Sequence, residues 1–186
     1  LGDPDLITLD VGGTSADVAV VRAGEPQYGV GEMIGEFPIH IPTVSVTSIG
    51  EGGGSIAWVD PHGVLKVGPE SAGSNPGPAC YGQGGERPTI TDAFVVSGFL
   101  GAMGLGYGEV TMREDLARAA VGELAAVLSM SIEDTAEAII KIAVSGMYLE
   151  VSKMVSRYGI DPRDMSLVAF GGAGPMLACH VARELN

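Results

Sequence analysis

Cysteine is scarce in this sequence: Cys80 and Cys179 are the only two among 186 residues. Two cysteines can pair, but in a domain of this size they make no disulfide framework, so a reducing, cytoplasmic setting is expected. Basic residues are also few, with 10 Lys and Arg against 23 Asp and Glu and a formal charge of −13. A phosphate-backbone partner requires clustered cations, and DNA and RNA are therefore excluded as partners. His40, His62 and His180 are scattered without metal-ligand spacing, which argues against a zinc site. No apolar run approaches the roughly 18 to 20 residues of a membrane helix. The richest, 93–105, is interrupted by Ser97, Gly98, Gly101 and Gly104, and no membrane association is expected.

A hydrophobic content of 46% and a mean hydropathy of +0.30 are enough for one domain with a sizeable core. The compositional anomaly is glycine, 29 residues or about 16%, against roughly 7% in an average protein. An acidic chain can still bind a nucleotide when backbone N–H groups and a divalent cation meet the phosphates. Mg²⁺ is the expected mediator.

Leu6 to Val11 and Asp17 to Val21 are short apolar runs, so Asp10 to Ala16 reads as a strand-loop-strand connection. A third strand is expected near Tyr28 to Ile34. Ser55 to Val67 alternates as a hairpin, with Asp60-Pro61-His62-Gly63 matching a type I turn. From Gly68 to Arg87 there is no hydrophobic period, and a long loop is expected, a length usually reserved for function. Thr111 to Glu114 and Ser131 to Asp134 are capping patterns that open two helices. The second carries apolar residues at Ile132, Ala136, Ile139, Ile140, Ala143, Met147, Val151, Met154 and Val155, spaced three and four apart, and ends at Gly159. Ser166 to Phe170 then reads as a short buried strand, and Pro175 opens a last helix. The expected order is β-hairpins, helix, helix, strand, helix. This is an α/β chain forming a single domain over 1–186.

Two glycine-rich turns carry the chemistry. In Asp10-Val-Gly-Gly-Thr-Ser-Ala-Asp17, Gly12 and Gly13 let backbone N–H groups approach phosphate oxygens, Thr14 and Ser15 add hydroxyls, and Asp10 is placed to hold Mg²⁺ through water. The same octapeptide suits a tight hairpin whose glycines only supply positive φ. The second carboxylate, Asp17, favours the phosphate reading. Phe170-Gly-Gly-Ala-Gly-Pro175 follows a strand and precedes a helix, where Gly171, Gly172 and Gly174 would let a flat nucleoside lie on the backbone at a helix N-terminus. It lacks the spacing of the Rossmann or Walker fingerprints.

An early glycine-rich strand-loop-strand and a late glycine-rich strand-turn-helix resemble one half of an actin-like ATPase core of the ribonuclease H-like class. The resemblance becomes closer at Gly50 to Ala57, Gly68 to Gly82 and Pro88 to Ala93, strings similar to those of the hydantoinase A and 5-oxoprolinase family, which also includes subunits of acetone and acetophenone carboxylases. It implies a mixed sheet with helices packed on it, ATP and Mg²⁺ as cofactors, and a chain that is part of a longer polypeptide whose other half completes the cleft. Asp10, Gly12, Gly13, Thr14, Ser15 and Asp17 would then hold the phosphates, with Asp10 as metal ligand, while Gly171, Gly172 and Gly174 seat the nucleoside. Ala16 and Leu177 depart from the family, which often has Thr and His at those positions.

The implied activity is ATP-dependent opening of a cyclic amide, 5-oxoproline or a hydantoin such as N-methylhydantoin, through phosphorylation of the amide oxygen. The water-activating group is not identifiable from the sequence, and the resemblance implies a hydantoinase B-type subunit or fused domain as partner, in an oligomer. Two other readings stand beside it: a ketone carboxylase subunit, and a non-enzymatic, nucleotide-responsive assembly module. Among single residues, Cys80 reads as a buried structural thiol, Asp92 as a helix cap and Trp58 as core. Glu123, Glu133, Asp134 and Glu137 read as a solvated helix face.

Overall fold

The computed structural model describes residues 4–29, 33–34, 36–38, 42–101, 104–105 and 110–186. His40 lies outside them. Alternation of apolar and small polar residues makes strands β1 (Leu6–Val11) and β2 (Ala16–Arg22), which pair antiparallel with Asp10 opposite Asp17. Ile7, Leu9, Val11, Val18 and Val20 fall on one face and are buried, while Thr8, Asp10, Asp17 and Ala19 share the other. The far edge of β2 is taken by β3 (Glu25–Pro26) and β4 (Val46–Ile49), both antiparallel to it.

The third strand expected over Tyr28 to Ile34 is instead two short pieces, Tyr28–Gly29 and Met33–Ile34, each paired with a different partner. The hairpin forms as the sequence requires, from β5 (Ser55–Val59) and β6 (Leu65–Ser71). The Asp60 carboxylate accepts from the N–H groups of His62 and Val64, and Gly63 takes φ +80°. Because β6 runs to Ser71, the long loop is shorter than expected, and it contains a 3-10 turn at Ala79–Tyr81. Trp58 is 37% exposed, its indole N–H donating to the Gly68 carbonyl, so it is not core.

An additional helix precedes the expected ones. α1 (Ile90–Val96) opens on a capping box between Thr89 and Asp92. α2 (Glu114–Leu128) starts without a side-chain cap, because Thr111 is paired with Gly104 in a short ribbon. α3 (Ile132–Arg157) is capped by Ser131 as expected, and its three-four stripe is buried from Ala136 to Val155. Glu123, Glu133, Asp134 and Glu137 are exposed. β7 (Ser166–Phe170) returns parallel to β1 at the sheet edge and is half-buried, not buried. α4 (Gly174–Leu185) has Pro175 in its first turn and lies on β1, β7 and α3. Ile139, Met147 and Met154 of α3 and Leu177 and Val181 of α4 close the core over β1 and β2. Burial of each such side chain contributes about 1.5–3 kcal/mol, which is why packing dominates over the low propensity of so many glycines.

Candidate nucleotide site

Parallel pairing of β7 with β1 brings the two glycine-rich turns to the same end of the sheet. The Ala173 N–H donates to the Val11 carbonyl at 2.9 Å, joining them directly. Between them lies a cavity of about 290 Å³, lined by Gly12, Gly13, Gly172 and Ala173 of these turns together with Tyr81, Leu100, Met112 and Met176.

A second glycine loop, 50–54, forms the support of this cavity. Gly53 N–H donates to the Gly12 carbonyl at 2.9 Å, and Gly54 N–H to the Gly13 carbonyl at 2.6 Å. A Cβ on Gly52 would stand 2.8 Å from the Gly12 oxygen and from Ser15 N. Backbone meets backbone here, and only glycine permits it. Thr91 locks the loop from α1, its N–H and hydroxyl both bonding the Gly53 carbonyl at 2.9 and 2.8 Å. Ser71 ties in β6 by donating to the Gly13 carbonyl at 3.3 Å.

One detail of the phosphate-loop expectation is corrected. The Gly12 N–H is committed to the Ser15 carbonyl at 2.9 Å and is not a phosphate donor. Among the described residues the N–H groups of Gly13 and Thr14 have no protein acceptor, and the exposed Thr14 and Ser15 stand beside them. Asp10 lies against Gly171, whose φ of +83° and missing Cβ leave room for the carboxylate. Asp17 accepts a hydrogen bond from Ser48 Oγ. Gly174 is buried at the start of α4 and does not line the cavity.

Asp10 and Asp17 stand side by side on one sheet face. No group of three or more His, Cys, Asp or Glu that could hold a metal occurs among the described residues. This donor set suits Mg²⁺ carried by phosphates and touched by one or two carboxylates, and does not suit a metal caged by protein.

Ala16 and Leu177 are fully buried in the core. His180 stacks edge-on against Phe94 and Phe99, with ring centroids 5.8 and 5.5 Å away, and is not among the cavity residues.

Cys80 is buried, and burial first and the Asp92 charge second push its thiol well above the usual range. Both effects disfavour the thiolate that a nucleophile needs. Asp92 is fully buried and accepts from the N–H groups of Ala79, Cys80 and Thr89 and from the Thr89 hydroxyl, at 3.2, 2.8, 2.9 and 2.8 Å. It caps α1 and anchors the turn carrying Tyr81. Sequence reasoning did not assign Gly53, Gly54, Tyr81, Thr91, Leu100, Met112 or Met176 to the site. The glycine triplet after β4 was a signal for the first two; the last three carry none.

Comparison with known proteins bears on the family and the fold. The family model described as hydantoinase/oxoprolinase matches residues 1–186. The crystal structure of ATP-dependent caprolactamase from Pseudomonas jessenii superposes with a TM-score of 0.91 at 37% identity, covering 99% of this chain and 27% of that one. The acetophenone carboxylase gamma subunit of Aromatoleum aromaticum is 40% identical over 178 residues, 94% of this chain and 24% of its own. The 5-oxoprolinase PfmaA of Pestalotiopsis fici is 34% identical over 193 residues, 97% and 15% respectively. The chain thus spans less than a third of the length of the relatives it matches. The fold is that of an actin-like ATPase half-domain.

Proposed function

The chain belongs to the hydantoinase/oxoprolinase family, and from that premise we propose that it supplies one wall of the ATP site of an enzyme that opens cyclic amides. The observation that carries this reading is the meeting of Gly12, Gly13 and Gly172 in one cavity. Gly13 and Thr14 offer their N–H groups to the phosphates. The nucleoside lies along Gly171 and Gly172, with Met176 and Leu100 as its apolar neighbours. Asp10, with Asp17 beside it, holds Mg²⁺, which neutralises charge on the phosphates when bound.

An unstrained amide resists water because its carbonyl is resonance-stabilised. Attack of the amide oxygen on the γ-phosphorus breaks the bond to ADP and leaves an O-phosphorylated carbon that water can add to. Departure of the ring nitrogen as the protonated amine then opens the ring to an acyl phosphate, and a second water releases phosphate and leaves the ring-opened acid. Such transfer depends on positioning and charge neutralisation, which this chain's loops provide. The group that activates water belongs to another part of the assembly, a second subunit or fused domain. ATP-dependent caprolactamase and 5-oxoprolinase among the relatives support this reading.

The similarity to an acetophenone carboxylase subunit supports a second reading, in which a ketone is activated in place of an amide. The test is phosphate release from Mg-ATP by the full-length protein with its partner subunit, with 5-oxoproline, N-methylhydantoin or caprolactam, and with acetophenone plus bicarbonate. Stimulation by a cyclic amide that collapses in Asp10→Ala supports the hydrolase. Stimulation only by the ketone moves the assignment to the carboxylases, and no ATP turnover at all removes the nucleotide site.

A further inference from the structure

Glu51 is the one charged residue of the second glycine loop, yet it does not line the cavity. Its side chain turns to α3, where the carboxyl group fills the hollow left by the missing side chain of Gly146. A Cβ built on Gly146 would meet both carboxyl oxygens and stand 2.8 Å from Cδ of Glu51. Oε2 is buried there without a hydrogen-bond partner.

Among the described residues no cation pairs with this carboxyl group. One turn along α3 stands Glu150, a like charge, itself paired with Lys153. On the β6 side the neighbour is the uncharged Gly68, and among the described residues no Lys, Arg or His forms an ion pair with Glu51. Burial first and Glu150 second raise the group from 4.5 to about 7. The hollow therefore suits the neutral acid.

We propose that Glu51 is a positioning residue: its neutral carboxyl group, docked on Gly146, ties the second glycine loop to α3 and thereby holds Gly12 and Gly13 in register through Gly53 and Gly54. The role rests on the reading of the cavity as a nucleotide site. Ionisation places an unsolvated charge beside Glu150 and drives the side chain toward water. The loop moves with it, and Gly53 and Gly54 pull on the two carbonyls they hold. Nucleotide affinity thus falls as pH rises through the neutral range.

The test measures Mg-ATP affinity of the full-length protein from about pH 6 to about pH 8.5 in the wild type, Glu51→Gln, Gly146→Ala and the double variant Glu51→Ala/Gly146→Ala. Circular dichroism establishes that each is folded. The wild type is expected to lose affinity by roughly tenfold across this range, and Glu51→Gln, whose amide mimics the neutral acid, to lose severalfold less. Gly146→Ala evicts the carboxyl group and weakens binding throughout. In the double variant the tie is absent as well, so affinity stays below the wild-type low-pH value and the fall with pH is lost. A pH slope unchanged in Glu51→Gln, or a double variant that binds as tightly as the wild type at low pH, overturns the role while the nucleotide site stands. A wild type that binds Mg-ATP at no pH overturns the functional reading and this role together.

Discussion

Gly171 closes over Asp10. The backbone of the second glycine turn, at φ +83°, passes so near that a Cβ on Gly171 would collide with Asp10 Oδ1 and stand 2.5 Å from the Val11 carbonyl. The second glycine turn and the Asp10 carboxylate are in this way one structural unit. Gly171→Ala is therefore expected to cost about 1–3 kcal/mol in stability from strain alone. Nucleotide affinity is expected to drop at least tenfold in the variant that remains folded. Urea denaturation and nucleotide titration read the two effects separately, and an Ala variant with wild-type affinity refutes the coupling.

Gly52→Ala tests the support beneath the first glycine-rich turn. Its methyl group would stand 2.8 Å from the Gly12 oxygen and Ser15 N, both backbone atoms that cannot swing aside. Overpacking of this kind costs about 1–3 kcal/mol. Gly13→Ala is the comparison, because a Cβ there would find nothing within 4 Å. It is expected to remain as stable as wild type within about 1 kcal/mol.

Asp92→Asn should unsettle a buried network that has no substitute. The carboxylate accepts from four donors on the 3-10 turn and the α1 cap. An amide nitrogen turned toward any of them meets a donor, and the loss is about 2–4 kcal/mol. Chemical denaturation measures it, and a change below about 1 kcal/mol would show that the network is not what holds this turn.

Thiol labelling separates the two cysteines. Cys179 is exposed, whereas Cys80 is buried and its thiolate is disfavoured by burial and by Asp92. Iodoacetamide at mildly alkaline pH is expected to modify Cys179 alone in the folded protein, with Cys80 reacting only after denaturation. Rapid labelling of Cys80 in the native state would restore it as a candidate nucleophile.

Glu51 also gives stability a slope with pH. Its folded value of about 7 lies above the ordinary 4.5, so between the two the folded chain keeps a proton that the unfolded chain has released. This contribution is full below about 4.5 and lost as pH rises through about 7. Asp161, lowered to about 2 by Arg163, has the opposite sign, but the pair is on the surface and weak. Thermal melts of wild type and Glu51→Gln should converge near pH 5 and separate above neutrality, with the wild type the lower of the two.

Local signals made much of the architecture readable from the chain alone. Ser131 with Asp134, the three-four apolar spacing to Val155 and Gly159 marked α3 at both ends, because caps and periodicity act within a few residues. The Asp60 turn and the two glycine-rich turns were visible for the same reason. Where a longer-range partner competes, the local signal failed: Thr111, paired with Gly104, does not cap α2, and the run after Glu25 divides between different strand partners.

The cavity is a product of tertiary structure. No sequence spacing says that Gly53 and Gly54 will grip the Gly12 and Gly13 carbonyls, that the Gly12 N–H is already taken, or that Leu100, Met112 and Met176 converge from separate segments. Nor does it say that Glu51 will lodge where Gly146 lacks a side chain. The residues that own a backbone conformation are written locally in the sequence; which of them come within hydrogen-bonding distance is decided when β7 pairs with β1 and the helices close over the sheet.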